Sequence, residues 1–404
     1  MKKLTNQHGE LVRKAPYPTW PISGELEKQI LEDVINSGKW GGSGGSNIPD
    51  YEAKLPEFEK KFALFQDASH GVSVVNGTLA ITVALQAVGV KPYDEVIMPS
   101  YTFIATATSA LLFGAIPVFV DVEEQSLLID PEEVEKAVTS KTKAIVAVHI
   151  GGTPADLDRL RQIADKYNLA LIEDAAQAVG SEWKGRGVGA IGDIGTFSFQ
   201  SSKNLTSGEG GIILSNNKQL ADKAWSIANV GRVRDGAWYQ HDEIGWNLRM
   251  TELQAAVLLG QMTRLEKQVE RRNQNAKLLN DLLNTIEGIH LFKQDPRVTR
   301  NGHHLYMFYL DRTLSEQIDK PDFVKKLGLE GIPSATGYTA LNRYKSIIQS
   351  IRDWTGEERI YNCPVAERMG DQQTIWITQT VLLSDEEGIY DAAKAVKKVV
   401  QSYL

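Results

Sequence analysis

The chain has 404 residues and a net charge of −7 at pH 7, and its basic residues form no cluster, which argues against nucleic acid as a partner. Its single cysteine, Cys363, excludes an intrachain disulfide and favours a reducing compartment, the cytoplasm. The most apolar stretch, residues 110–120, is too short to span a bilayer, and the N-terminus lacks the apolar core of a signal peptide, so we predict no membrane association.

The predicted elements begin after a polar leader, residues 1–21. Residues 23–37 carry apolar side chains at helical spacing, which predicts an amphipathic helix. The glycine-rich segment that follows, residues 38–46, is either a flexible connector or a loop close to a functional site. Because linkers rarely contain tryptophan, the two interpretations are equally good, and Trp40 becomes a candidate substrate contact.

From residue 72 onward, short apolar runs alternate with helical segments. Runs that predict strands lie at residues 72–75, 96–98, 117–120, 144–148, 169–172, 195–199 and 211–214. Helices are predicted at residues 78–88, 131–138 and 155–167, the last two opened by Asp130-Pro131 and Thr153-Pro154 as capping residue and first helical proline. This alternation predicts a mostly parallel sheet with helices on both faces.

The pattern changes after residue 245. Residues 250–283 predict one or two long helices, residues 304–310 and 376–382 predict strands, and residues 385–403 predict a final helix. We therefore predict a large α/β domain over residues 22–262 and a small α+β domain over residues 263–404.

One lysine and one carboxylate stand at the ends of core strands. Lys203 lies in a glycine-rich loop after the run at 195–199, and Asp174 follows the run at 169–172. This pairing is what pyridoxal phosphate chemistry requires, because a lysine forms a Schiff base with the cofactor aldehyde while a carboxylate keeps the pyridine nitrogen protonated. The alternative is an exposed, inert lysine and an aspartate that caps the next helix.

A strand-to-helix turn, Asn76-Gly77-Thr78, predicts a phosphate site, since helix N-termini present free N–H groups. The alternative is that this turn only caps its helix. Ser198 is a second candidate for the phosphate, or a structural strand serine. Gln177 follows Asp174 by one turn and can reach the ring hydroxyl of the cofactor.

In chain order, a series of motifs is similar to those of the DegT/StrS-type sugar and cyclitol aminotransferases, which are fold type I pyridoxal phosphate enzymes. The motifs are Asn76-Gly77-Thr78, residues 99–106, 120–122, 173–177 and 192–195, the lysine loop with residues 208–211, and residues 245–252. The resemblance covers nearly the whole chain. It implies a three-layer α/β/α large domain like that of aspartate aminotransferase, with a small C-terminal α+β domain.

The resemblance also implies roles for individual residues. Lys203 is the Schiff-base lysine, Asp174 pairs with the pyridine nitrogen, and Gln177 bonds the ring oxygen. Phosphate contacts and ring stacking are implied for Gly77, Thr78, Ser198 and Phe103, the last of which is otherwise a core aromatic. Asn247 reaches the phosphate from a neighbouring subunit, which implies a homodimer with composite active sites.

The retained Lys203 favours transamination from an amino acid, glutamate or glutamine, to a keto-sugar, nucleotide-linked or not, or to a keto-cyclitol. Residues 150–154 differ from the nucleotide-sugar members, and the segment from Trp20-Pro21 through residues 37–41 is more similar to members acting on cyclitols and antibiotic precursors. Arg232, His304 and Tyr338 are further candidate substrate contacts, or alternatively surface or interface residues. We predict no metal site.

Two other functions remain open at this point. One is a pyridoxal phosphate dehydratase or cyclising synthase on the same scaffold. The other is a non-catalytic regulatory protein, since a fold does not determine a function. A Schiff-base lysine counts against the second, because binding alone does not need one.

Overall fold

The computed structural model describes residues 10–41 and 46–404. The predicted leader is described from Glu10 onward, and residues 42–45 of the glycine-rich segment lie outside the described residues. The helices are α1 Glu25–Ser37, α2 Lys54–Phe65, α3 Gly77–Ala87, α4 Ala105–Leu111, α5 Pro131–Ala137, α6 Leu157–Tyr167, α7 Lys218–Ala228, α8 Glu252–Leu283, α9 Arg312–Gln317, α10 Lys320–Leu329, α11 Lys345–Thr355, α12 Pro364–Arg368 and α13 Glu386–Gln401. The strands are β1 His70–Val74, β2 Glu95–Pro99, β3 Ile116–Val120, β4 Thr142–Val148, β5 Ala170–Asp174, β6 Glu182–Trp183, β7 Arg186–Gly187, β8 Ile194–Ser198, β9 Gly211–Ser215, β10 Ile289–Leu291, β11 Val298–Arg300, β12 Leu305–Leu310, β13 Ser334–Ala335 and β14 Thr374–Thr378.

The central sheet contains the seven predicted strands in the order β1-β9-β8-β5-β4-β2-β3. Neighbours from β8 to β3 pair in parallel, and β9 runs antiparallel to both of its neighbours. Strands β2, β3, β8 and β9 are buried along their whole length, as expected for a sheet covered by helices on both faces. The predicted, mainly parallel α/β architecture is confirmed.

Two predicted boundaries were wrong. Helix α6 begins at Leu157 instead of Pro154, because the side chain of Asp156 accepts a hydrogen bond from the Arg159 backbone and caps the helix there. The strand predicted at 376–382 ends at Thr378, and residues 381–383 form a helical turn. That turn is held by Asn275 of α8, whose side-chain amide donates to the carbonyl of Leu382.

A second sheet, in the order β10-β12-β14-β13, follows in the C-terminal part and is antiparallel throughout. Its buried side chains and those of α13 form a second apolar core. Helix α8 is a single helix of 32 residues that crosses the predicted domain boundary. Leu258 and Leu265 on this helix pack into the first core, whereas Leu279 packs into the second. The small α+β unit is thus present, and the boundary between the two domains at residues 262–263 stays a prediction.

Within the described residues, no helix has both the length and the apolarity needed to cross a bilayer.

Candidate active site

A cavity of about 550 Å³ lies at the carboxyl ends of β4, β5 and β8, beside the turn from β1 into α3. Nine residues singled out in the sequence line it, namely Gly77, Thr78, Phe103, Asp174, Gln177, Ser198, Lys203, His304 and Tyr338. The fold therefore brings together groups that are up to 261 residues apart in the chain, from Gly77 to Tyr338 (338 − 77 = 261). Trp40, Arg232 and Asn247 do not line it.

Lys203 and Asp174 both line this cavity, and their charges influence each other. Burial lowers the pKa of Lys203 to about 8, and the nearby Asp174 only partly opposes that change. Burial likewise raises the pKa of the Asp174 carboxyl, against hydrogen bonding by Thr106 and the charge of Lys203. A lysine whose pKa lies near neutrality is available as a nucleophile and as a proton acceptor.

Contacts behind Asp174 fix its carboxylate. The Thr106 hydroxyl donates to Oδ2 at 2.8 Å, and the backbone N–H of Ala176 approaches Oδ1 at 3.3 Å. The backbone N–H of His149 donates to the Asp174 carbonyl at 3.1 Å. The weakly bonded Oδ1 is the one that can still accept a strong hydrogen bond from a cationic ring N–H.

The N-terminus of α3 forms one end of the cavity. The side chain of Asn76 accepts from the Leu79 N–H at 2.9 Å, which leaves the first N–H groups of the helix for a ligand. Gly77 packs directly on Ser198, so closely that a Cβ added at position 77 would stand 2.7 Å from the Ser198 Cβ. The Ser198 hydroxyl accepts from the Gln200 N–H at 3.3 Å, so its own hydrogen is free to donate. Together these groups form an anion-binding cradle.

A polar and aromatic wall closes the other side. The amide of Gln177 accepts from the Gly151 N–H at 2.7 Å and donates to the Tyr338 hydroxyl at 3.0 Å, which leaves one of its N–H groups for a ligand. Tyr338 packs edge-on against Trp376, with ring centroids 4.4 Å apart. Phe103, which is 52% exposed, lies 5.8 Å from the Tyr338 ring and is free to stack on a planar ligand.

The remaining candidates lie elsewhere. Trp40 is mostly exposed, and its carbonyl accepts from the Glu252 N–H at the start of α8. Arg232 lies near Arg249, whose pKa is lowered by burial and by the charge of Arg232. Asn247 belongs to a segment that runs along the edge strand β1, where Arg249 pairs with Val74. The roles assigned to these residues, as to those in the cavity, stay predictions.

Sequence reasoning missed three groups at the site. Thr106 and Thr102 form a hydroxyl pair 3.0 Å apart behind Asp174, and both lie in the segment 99–106 that carried the resemblance. Glu209 lines the cavity, and its carbonyl accepts from Gln254 of α8 at 2.7 Å. The sequence motifs thus included all three residues, but they did not indicate what the side chains or carbonyls contact.

An anion cradle, a buried carboxylate and a lysine of lowered pKa in one cavity fit pyridoxal phosphate. On an α/β/α fold they define a fold type I pyridoxal phosphate enzyme. The chain belongs to the DegT/DnrJ/EryC1/StrS aminotransferase family, whose sequence profile matches residues 21–395. It is accordingly a pyridoxal phosphate-dependent aminotransferase, and the fold, family, activity and cofactor predicted from the sequence are confirmed.

Similar proteins cover almost the whole chain. An L-glutamine:2-deoxy-scyllo-inosose aminotransferase of Streptoalloteichus tenebrarius is 36% identical in an alignment 419 positions long, gaps included, that covers 99% of this chain and 98% of the relative. A 3-amino-5-hydroxybenzoate synthase of Amycolatopsis mediterranei is 34% identical in an alignment 392 positions long that covers 96% of this chain and 98% of the relative. A crystal structure of 3-amino-5-hydroxybenzoic acid synthase superposes with a TM-score of 0.86 at 33% identity, covering 96% of this chain and all of that chain.

Proposed function

We propose that this protein transfers the amino group of L-glutamine to a keto-cyclitol, within the wider class of keto-sugars, during the biosynthesis of an antibiotic precursor. The observation that carries the proposal is the placement of Lys203, with its lowered pKa, opposite Asp174 in a cavity that ends in an anion cradle. The donor and acceptor are taken from the names of relatives such as the inosose aminotransferase, which are similar over nearly the full length.

Each residue of the site has a task in this reaction. Pyridoxal phosphate, when bound, supplies the electron sink that lets a C–H bond next to nitrogen be broken. Gly77, Thr78 and Ser198 hold the phosphate, and Asp174 keeps the pyridine nitrogen protonated. With the cofactor bound, Lys203 Nζ would take the proton from the amino-bearing carbon of the donor and pass it on as a general acid, and it would return a proton to the keto carbon of the acceptor in the second half-reaction.

The test is an assay of amino transfer from L-glutamine to 2-deoxy-scyllo-inosose by the wild-type protein, Lys203→Ala and Lys141→Ala. Lys141 is an exposed lysine and provides the matched control. We expect Lys203→Ala to lose at least about a thousand-fold in kcat, as for removal of a catalytic nucleophile, and Lys141→Ala to be unchanged. Full activity of Lys203→Ala would overturn the proposal.

The similarity to the 3-amino-5-hydroxybenzoate synthase favours one second candidate, a dehydratase or cyclising synthase that uses the same cavity. An assay with the ketone but without an amino donor separates the two. An aminotransferase stops after the amino group on its cofactor is used, whereas a dehydratase or synthase continues to turn over. A protein that binds the cofactor and turns over neither substrate would be the regulatory homologue.

We also propose a homodimer in which Asn247 of each chain reaches the phosphate end of the other chain's cavity. Asn247 lies outside the cavity of its own chain, in a segment beside the edge strand β1. Just before it, Trp238, Tyr239 and Ile244 are 79%, 77% and 86% exposed, and exposed apolar clusters of this kind mark interfaces. The unpaired thiol of the buried Cys363 supports a cytoplasmic location.

A further inference from the structure

His304 joins the lysine loop to the cavity wall. It stands directly before β12, is 7% exposed and lines the cavity. Its ring nitrogen Nδ1 lies 3.3 Å from Oδ1 of Asn204, the buried residue that follows Lys203. The ring is therefore attached through one edge to the loop that carries the lysine.

The hydrogen-bond pattern around Asn204 determines where the imidazole carries its proton. Nδ2 of Asn204 donates to the Gly302 carbonyl at 2.6 Å, so Oδ1 is the atom that faces His304. Oδ1 has no hydrogen to donate, and the bond between the two residues requires a hydrogen on Nδ1. Burial, together with the charges of Lys203 and Arg272, lowers the pKa of His304 well below its usual range, so the ring is neutral. Nε2 then carries a lone pair.

That lone pair has no partner among the described residues. Nε2 of His304 forms no hydrogen bond with any residue in the described ranges, and it is not among their fully enclosed unpaired nitrogens, so it is open to the cavity. The Tyr338 hydroxyl, which lines the same cavity, accepts from Gln177 and keeps its own hydrogen for donation. The wall thus offers an acceptor at His304 and a donor at Tyr338.

We propose that Nε2 of His304 accepts a hydrogen bond from a hydroxyl group of the keto acceptor and so determines specificity for hydroxylated ketones. The proposal rests on the proposed function, because a keto-cyclitol carries several hydroxyls that need acceptors when they leave water. A site built to bond a hydroxyl discriminates against ketones that lack it. L-glutamine has no hydroxyl, so the contact acts in the half-reaction with the ketone.

Two substitutions separate the two edges of the ring. In His304→Asn the amide nitrogen takes the place of Nδ1, which keeps the bond to Asn204 and removes the acceptor at Nε2. In His304→Gln the amide oxygen takes the place of Nε2, which keeps the acceptor and removes the bond to Asn204. His290→Asn, at an exposed histidine on β10, is the control for the exchange itself.

The experiment measures kcat/KM for 2-deoxy-scyllo-inosose and for cyclohexanone, each with L-glutamine. We expect His304→Asn to lose about ten-fold or more with the cyclitol ketone and less than about two-fold with cyclohexanone, since one hydrogen bond to a substrate hydroxyl is removed. His304→Gln should retain the preference for the cyclitol ketone, and the control His290→Asn should leave the half-reaction with L-glutamine unchanged. Equal losses with both ketones, or equal losses in both His304 variants, would overturn the proposal.

A second measurement does not depend on turnover. Long-range proton–nitrogen NMR of the ¹⁵N-histidine-labelled holoenzyme, with His304→Asn for assignment, should show a neutral ring protonated at Nδ1 at pH 7. A ring protonated at Nε2 would overturn the proposal. If the wild-type protein aminates neither ketone, the proposed acceptor is wrong and the proposed contact falls with it. If the wild-type protein aminates the cyclitol ketone but the His304 variants do not show the expected losses, only the His304 proposal is wrong.

Discussion

If Lys203 forms the Schiff base as proposed, its protonation state controls how the protein acquires its cofactor. Only a neutral amine attacks an aldehyde, and burial has lowered the pKa of Lys203 to about 8. At pH 8 about half of the lysine is then neutral, whereas an ordinary lysine with a pKa near 10.4 would be neutral in well under about 1% of molecules.

This pKa predicts the pH dependence of reconstitution. The rate at which apoprotein forms its imine with pyridoxal phosphate should rise with pH and reach half of its maximum at about pH 8. The measurement is the growth of the visible absorption band over a pH series in stopped flow. A midpoint above pH 10, as for a solvated lysine, would show that Lys203 is not desolvated as described.

At this scale the sequence was informative about residues that end strands. Lys203 and Asp174 could be singled out because each follows an apolar run, and a charged residue near the end of a buried strand needs a partner at the sheet edge. Thr106 and the Gly151 N–H could not, because their contacts with Asp174 and Gln177 depend on loops that fold back from other strands. A sequence pattern contains no information about such backbone orientation.

Among the elements, the contact between α3 and β8 allows a test of the proposed phosphate cradle. Gly77→Ala would place a Cβ 2.7 Å from the Ser198 Cβ and push the helix N-terminus away from the strand. We expect the Kd of the apoprotein for pyridoxal phosphate to rise about ten-fold or more and the free energy of unfolding to fall by about 1–3 kcal/mol.

Gly328 in α10 is the matched control, because a Cβ there meets open space. Gly328→Ala should leave cofactor affinity unchanged and raise the free energy of unfolding by up to about 1 kcal/mol. Fluorescence titration with the cofactor and urea unfolding measure the two quantities. Equal cofactor affinity in both variants would contradict the cradle.

The end of β5 also anchors a turn through Glu173. This buried carboxylate contacts His149 Nε2 at 3.0 Å and accepts the N–H groups of Gly189, Ile191 and Gly192 at 2.7–2.8 Å. Burial alone would raise the pKa of Glu173, but these hydrogen bonds outweigh it, so the pKa is lowered. A lowered pKa means that the carboxylate stabilises the fold above its unfolded pKa and loses this effect as pH falls through the folded value.

We expect Glu173→Gln to lower the free energy of unfolding by about 3 kcal/mol at pH 7, because an amide cannot accept all four hydrogen bonds. The difference from the wild-type protein should shrink below about pH 4, the range in which an ordinary glutamate is protonated. Urea unfolding at pH 7 and below pH 4 measures it. Glu133→Gln, at a half-exposed residue of α5, should change stability by less than about 0.5 kcal/mol. A loss independent of pH would contradict the role of the charge.

Element positions followed from the sequence where one signal dominated. The seven strands of the central sheet were predicted within two residues because each is a short apolar run, and helices separate most of these runs. The start of α6 was misplaced because Thr153-Pro154 and Asp156 both resemble helix starts, and the cap that forms is Asp156, whose side chain accepts from the Arg159 N–H. Likewise Val381 and Leu382 continue an apolar run but are buried as a helical turn.

At the scale of the whole molecule, the proposed sites shared between two chains predict that two different inactive variants restore activity when they form a mixed dimer. Lys203→Ala and Asn247→Ala homodimers should each have little activity. A mixed dimer, however, contains one site with an intact lysine and an intact asparagine from the other chain. After co-refolding of equal amounts, half of the dimers are mixed and half of their sites are intact, so about a quarter of the wild-type activity should return.

The experiment compares the mixture with each parent and records the oligomeric state by analytical ultracentrifugation. Activity no higher than the mean of the two parents, or a monomer, would reject composite sites. A sequence cannot show this arrangement through spacing, since Asn247 and the cavity that it is proposed to complete belong to different chains. Only the family resemblance pointed to it.

The most direct test of the central claim follows the nitrogen itself. The holoenzyme is incubated with L-glutamine labelled with ¹⁵N at the α-amino group and with 2-deoxy-scyllo-inosose, and the cyclitol product is analysed by mass spectrometry. The account predicts an aminocyclitol heavier by one mass unit, formed only when the donor is present and absent with Lys203→Ala. A product that lacks the label, or that forms without the donor, would contradict it.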